Sequence, residues 1–219
     1  MNKVLKFFTR AYSFVYVRTL RRSTYMRELS QTLKDCESVL DVGCGSSSQL
    51  SHLNRHFYTV GIDAFAPNIE KSKQDHVHNE CYVMDALDMD KHFAPNSFDC
   101  VMAIEIIEHL TKEDGLKMLK MMEKIARKKI IIFTPNGFVN QDDYDGNVWQ
   151  IHKSGWTARE MRQLGFKVTG SRGWKALRGE LCTLKYRPYF FWNTVSDITQ
   201  LVVQFTPSLA YQIFCVKDK

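Results

Sequence analysis

Residues 39–48 read VLDVGCGSSS. An apolar run ends in Asp41, two glycines flank Cys44, and three serines follow. That order describes a strand running into a tight turn and then a helical start. Glycine allows a ligand to approach the main chain closely, and the amides that follow are a ready partner for it. A small polar loop without function has the same letters, so the neighbouring sequence has to decide between the two.

Outward from this stretch, apolar runs of strand length alternate with helix-like segments, the pattern of a parallel sheet with crossover helices. The strands are expected at SVLDVG (38–43), YTVGID (58–63), ECYVMD (80–85), FDCVMAI (98–104) and KKIIIFT (128–134). Helices are expected near 47–56, 67–74 and 113–127, the last from Leu116, Leu119, Met122 and Ile125 at helical spacing. TARE at 157–160 has capping-box form and opens a helix that stops at Gly165. FKVTGSRGW and AYQIFCVKD read as a final strand pair, with an aromatic insertion over 186–209 that is expected to form a packed helix or a lid. The expected fold is α/β and Rossmann-like: a mostly parallel seven-stranded sheet, the last strand antiparallel, helices on both faces. With no linker or repeat in its 219 residues, the chain is expected to be one domain.

Four of these strands end at or just before an acid: Asp41, Asp63, Asp85 and Glu105. Ligands of open parallel sheets bind outside the carboxyl ends of the strands, so these acids converge on one crevice. Asp63, 22 residues after Asp41, is placed to accept from both hydroxyls of a ribose, and Asp85 from the amino edge of an adenine. The turn itself is DVGCGSS and lacks the third glycine of the dinucleotide fingerprint, which argues against a pyrophosphate and a dehydrogenase.

Composition narrows the class further. With 44% hydrophobic and 25% charged residues the chain is an ordinary globular protein. Six cysteines, at 36, 44, 81, 100, 182 and 215, show no CxxC pair and no regular spacing, so neither a zinc framework nor a secreted disulfide scaffold is suggested and a reducing cytoplasm is expected. The net charge of +6 resides in residues 1–35, which hold eight basic residues against Glu28 and Asp35. This leading segment reads as a basic amphipathic helix, either covering the domain or touching a membrane surface. It lacks the cleavage site of a secretory signal.

Taken in order, VLDVGCG, VGIDAF, CYVMDA, FDCVMAIEIIEHL, IIIFTPN and HKSGWTAREMRQLGF resemble the class I S-adenosylmethionine-dependent methyltransferases from about residue 38 to the C-terminus. The resemblance implies that Asp41 orders the first loop while Gly43 and Gly45 line the methionine moiety of S-adenosylmethionine. It places Asp63 on the ribose, Ala64 and Ala86 beside the adenine, Asp85 on its amine, and Ala103 to Glu105 near the sulfonium.

Methyl transfer to a hydroxyl needs a held nucleophile and benefits from a base. His109 in EIIEHL and His152 in HKSGWT are the catalytic candidates, and a small-molecule hydroxyl is the expected acceptor. The ExxEH and HxxxWT elements are similar to ubiquinone-pathway O-methyltransferases and, more weakly, to small-RNA 2′-O-methyltransferases. In the second family the equivalents of Glu105, Glu108, His109 and His152 bind a divalent metal. A metal-dependent enzyme acting on RNA ends is therefore one alternative, and a non-catalytic cofactor-binding adaptor is another. No RNA-binding module accompanies the domain, so a nucleic-acid partner is not expected; the sequence does not define an oligomeric state.

Overall fold

The computed structural model describes residues 22–53, 55–142 and 147–219. The N-terminal part of the basic segment, residues 1–21, lies outside them. In chain order the elements are α1 (Arg22–Thr32), β1 (Ser38–Val42), β2 (Tyr58–Asp63), α2 (Ala66–Gln74), β3 (Glu80–Val83), α3 (Met89–His92), β4 (Phe98–Ile104), α4 (Lys112–Ile125), β5 (Ala126–Pro135), α5 (Ala158–Gln163), β6 (Lys167–Trp174), α6 (Tyr189–Val203) and β7 (Ala210–Asp218). The sheet has seven strands in the order β3-β2-β1-β4-β5-β7-β6, with β7 antiparallel to both its neighbours and the remaining pairs parallel.

Period-two alternation divides the central strands between two cores. Leu40, Val42, Val101, Ala103, Ile130, Ile132, Ile213 and Cys215 face one side, where Met118, Leu119, Met122 and Ile125 of α4 and Met161 of α5 cover them. Val39, Cys100, Met102, Ile131, Phe133 and Phe214 face the other, under Tyr25 and Leu29 of α1 and Leu33 just beyond it. Helices thus lie on both faces, and the leading segment, where described, is a cover helix.

The helix expected near 47–56 is instead one 3₁₀ turn, Gln49–His52. Ser48 caps it, accepting from the Leu50 amide, and Ser51 Oγ donates back to the Ser48 carbonyl at 2.7 Å. Hydroxyls that bond locally to the backbone favour such a turn over helix. α4 also ends earlier than expected, because β5 begins at Ala126. Asp99 anchors the far end of the sheet, accepting from the Glu37 amide at 2.9 Å and pairing with Arg127 and Lys128.

Candidate active site

β1 lies between β2 and β4, so the chain reverses its winding direction there and a crevice opens at the carboxyl ends. The first loop closes over it. Gly43 and Cys44 donate their amides to the Ile62 carbonyl at 2.7 and 3.0 Å. Gly43 and Gly45 have φ of +66° and +63°, in the left-handed region. A Cβ at Gly43 would lie 2.0 Å from Ile106 Cδ1, whereas at Gly45 it would meet nothing nearer than the Ser47 amide at 4.0 Å. The space over Gly45 is therefore crevice that a side chain would fill.

Asp41 sits under this loop, buried, accepting from Ser48 Oγ at 2.5 Å and lying 3.2 Å from His78 Nε2. Asp63, at the end of β2, accepts from the Gly45 amide at 2.9 Å, the Phe65 amide at 2.8 Å and Asn68 Nδ2 at 3.2 Å. Asp85 caps the next turn through the Leu87 amide at 2.9 Å. Sequence reasoning placed these acids but missed the partners that hold them: Ser48, Asn68 and His78.

Asp41, Gly43, Gly45, Asp63, Glu105, His109 and His152 line one cavity of about 380 Å³. Gly43, Asp63, Ala64, Asp85, Ala86 and His109 line a second that shares residues with it. Ala103 lines neither: it is fully buried in β4 among core residues, so any contribution to the crevice is structural support from beneath.

At the end of β4 the backbone turns sharply, with Glu105 at φ +57°, a conformation costly for a non-glycine residue and concentrated at functional sites. The 3₁₀ turn Ile107–His109 follows. It is tied to the later segment: Lys153 and Ser154 donate their amides to the Glu108 carbonyl at 2.8 and 3.0 Å, and Trp156 Nε1 donates to the Ile107 carbonyl at 3.2 Å. This docking brings His152 against His109, ring centroids 4.8 Å apart.

Glu108, His109 and His152 each direct a potential ligand atom into one locus, all within 4.8 Å of one another. Glu108 Oε2 accepts from Thr134 Oγ1 at 2.9 Å, while the buried Oε1 has no partner. His109 Nδ1 lies 3.3 Å from the Ile151 carbonyl and His152 Nδ1 2.6 Å from that of Val139. With Nδ1 donating, each neutral ring carries its lone pair at Nε2, the state a metal requires. Glu105 stands beside Glu108 and accepts from Gln212 Nε2.

Burial raises both carboxyls above their ordinary range, Glu108 further because Glu105 lies next to it. Burial, and then the neighbouring His152, lowers His109 to about 4; burial also lowers His152. Burial and mutual repulsion disfavour the charged carboxylates here, with Arg172 offsetting part of this at Glu105, and a bound cation would compensate the rest. Carboxylate and imidazole together suit Mg²⁺, Mn²⁺ or Zn²⁺, so the residues fit such an ion.

Residues 40–133 match the model of a family described as a methyltransferase domain. The seven-stranded sheet, with its last strand antiparallel, is that of the class I methyltransferase fold. Among solved structures, a SAM-dependent methyltransferase from Archaeoglobus fulgidus superposes with a TM-score of 0.58 at 17% identity, covering 95% of this chain and 100% of that one. The plantazolicin methyltransferase BamL, solved with a triazolic desmethylPZN analog and SAH, gives 0.55 at 13% identity over 98% and 89%. At these identities the likeness is one of fold. A curated small RNA 2′-O-methyltransferase of Tetrahymena thermophila is 24% identical over 169 residues, 65% of this chain. The match spans only 40% of that relative's length.

Proposed function

We propose that the protein transfers a methyl group from S-adenosylmethionine to a hydroxyl oxygen of a small-molecule acceptor, assisted by a divalent cation held by Glu108, His109 and His152, with Glu105 beside them. The observation that carries this reading is the buried, unpartnered Glu108 Oε1, within a locus it shares with two imidazoles. Asp63, Asp85 and the Gly43–Gly45 loop would hold the nucleoside and methionine ends of the cofactor. Bound there, the cofactor would supply an electrophilic sulfonium methyl, and the cation would lower the pKa of the acceptor hydroxyl. The protein's own contribution is positional. The strand-end acids hold the donor and the EIIEHL and HKSGWT segments hold the acceptor, so the in-line geometry is set before reaction.

The test is methyl transfer from labelled cofactor to a panel of hydroxyl acceptors, after chelation and after adding back Mg²⁺, Mn²⁺ or Zn²⁺. Turnover that requires the ion in the wild type and disappears in Glu108→Gln supports the proposal. Turnover indifferent to chelator, or directed to nitrogen or carbon, removes it. The relative from Tetrahymena favours a second reading, the 2′-hydroxyl of an RNA terminal ribose. An oligoribonucleotide with an intact terminal diol, compared with one lacking the terminal 2′-hydroxyl, separates it from the first.

A further inference from the structure

Helix α6 is turned inside out. An ordinary surface helix buries its apolar stripe and exposes its polar one. Here every fully exposed residue of the helix is apolar or aromatic: Tyr189, Phe190, Phe191, Ile198, Leu201 and Val202. Phe205, just beyond, is 80% exposed. Ser196, Thr199 and Gln200 point inward, and the sheet gives the reason. β6 is an edge strand, and its outer backbone groups need partners. Gln200 provides two, donating from Nε2 to the Gly170 carbonyl at 2.9 Å and accepting from the Gly173 amide at 3.0 Å. Thr199 Oγ1 accepts from the Trp174 amide at 3.0 Å, and the Gln204 carbonyl from the Gly170 amide at 3.3 Å. Ser196 Oγ accepts from Arg178 Nη2 at 2.8 Å.

The close approach is built in. A Cβ at Gly170 would lie 1.9 Å from the Val203 carbonyl oxygen, and one at Gly173 2.4 Å from that of Ser196. Ser196, Thr199 and Gln200 are thus committed to sealing the sheet edge. Nothing in that task requires the outer face to be apolar. Contiguous exposed apolar surface of this kind marks an interaction site.

The surroundings indicate what it meets. Lys175, Lys185 and Arg187 are exposed on the segment leading into the helix, against the single exposed acid Glu180. The Arg187 guanidinium lies 5.3 Å from the Tyr189 ring centroid, and Tyr186, Phe191 and Trp192 cluster with centroids 5.1 to 5.3 Å apart. Aromatic and aliphatic side chains rimmed by cations suit an anionic lipid surface, where rings settle at headgroup depth and cations meet phosphates. No helix among the described residues is long and apolar enough to cross a membrane, so the contact is interfacial. β6 runs parallel to the strands whose ends form the crevice, and α6 starts beyond its carboxyl end. The aromatic end of the patch therefore lies toward the crevice side of the sheet. We infer that the outward face of α6 docks the protein on an anionic bilayer surface.

The full chain is tested by flotation with phosphatidylcholine vesicles, with and without 30% phosphatidylglycerol. Because residues 1–21 are themselves basic, charge attraction alone does not decide the matter. The deciding probe is an environment-sensitive label at Leu201→Cys, compared with one at Lys120→Cys on the outer face of α4. The label at 201 is expected to shift to shorter wavelength and to be quenched by brominated lipid in anionic vesicles, with that at 120 unchanged. Phe190→Asp combined with Leu201→Asp is expected to weaken flotation about tenfold. A label at 201 that stays in water overturns the inference, as does flotation indifferent to the double substitution. So does a dimer in sedimentation, without lipid, that this substitution dissolves. Should the double variant fold poorly by circular dichroism, the label at 201 still decides.

Discussion

The two halves of the crevice are finished to different degrees. On the β1–β2 side each acid is already satisfied: Asp41 by Ser48 and His78, Asp63 by Gly45, Phe65 and Asn68, Asp85 by Leu87. On the β4–β5 side Glu108 and His109 are buried and His152 half-buried, with one Glu108 carboxylate oxygen unpartnered and with Glu105 in left-handed backbone. On the proposed reading the first half is a preformed cradle for the nucleoside. On the same reading the second, with its unpartnered buried carboxylate oxygen, is completed by a cation. Native proteins leave few buried polar atoms orphaned, so the contrast assigns different tasks to the two sides.

The largest expected effect breaks the second side alone. Glu108→Gln keeps the Thr134 bond feasible but removes the charge, and methyl transfer is expected to fall by roughly 10³, with calorimetric binding of S-adenosylmethionine within about twofold. Equal loss of cofactor binding would merge the two halves into one. Next, Asp63→Ala should weaken cofactor binding by about 10- to 100-fold while metal binding persists, since it removes the anchor of the Gly45 amide together with the ribose acceptor. A cofactor affinity unchanged in that variant would sink the cradle.

Acidity sharpens the comparison. The folded pKa of His109, about 4, lies below its unfolded value of 6.5. Between those values the unfolded chain binds more protons, so this contribution to stability is lost as pH falls from about 6.5 to about 4. Glu105 and Glu108, raised by burial, act oppositely: their contribution is present below the unfolded carboxyl value and fades as pH rises through the folded one. Thermal melts of chelated protein from pH 4 to 8 should therefore show a shallow profile, and Glu108→Gln should steepen the acid side. Added metal should stabilise more at pH 7.5 than at pH 5, because the ligands bind it deprotonated. Metal stabilisation independent of pH would contradict the assignment. The smallest effect lies outside both halves. Thr157→Ala breaks the capping box of α5 and is expected to cost about 1 kcal/mol, lowering the melting temperature by about 2 to 4 °C without altering metal or cofactor binding.

The cradle was legible in the sequence because its chemistry is local to strand ends. Asp41, Asp63 and Asp85 close apolar runs, and Gly43 and Gly45 mark the turn where only a left-handed backbone serves. The second side was legible as residue types but not as geometry. ExxEH is a local spacing, whereas His152 reaches it only because Trp156, Lys153 and Ser154 bond to the backbone of the 107–109 turn across more than forty positions. Thr134 lies in IIIFTPN, but that motif does not show its bond to Glu108, and Gln212 and His78 carry no motif; each is set by register across the sheet or by packing beneath the loop. α6 shows the opposite limit. Its apolar and polar residues were evident, but the sequence alone does not say that Ser196, Thr199 and Gln200 turn inward, since the requirement comes from the unpaired edge of β6.

The most direct test of the completed second side is a titration of chelated protein with Mn²⁺, followed by electron paramagnetic resonance and read in parallel on Asp63→Ala, Glu108→Gln and His152→Ala. One bound ion per chain is expected in the wild type and in Asp63→Ala, with affinity lowered at least tenfold in the other two. No bound ion in the wild type, or an ion held equally well without Glu108 and His152, would contradict the assignment of that cluster.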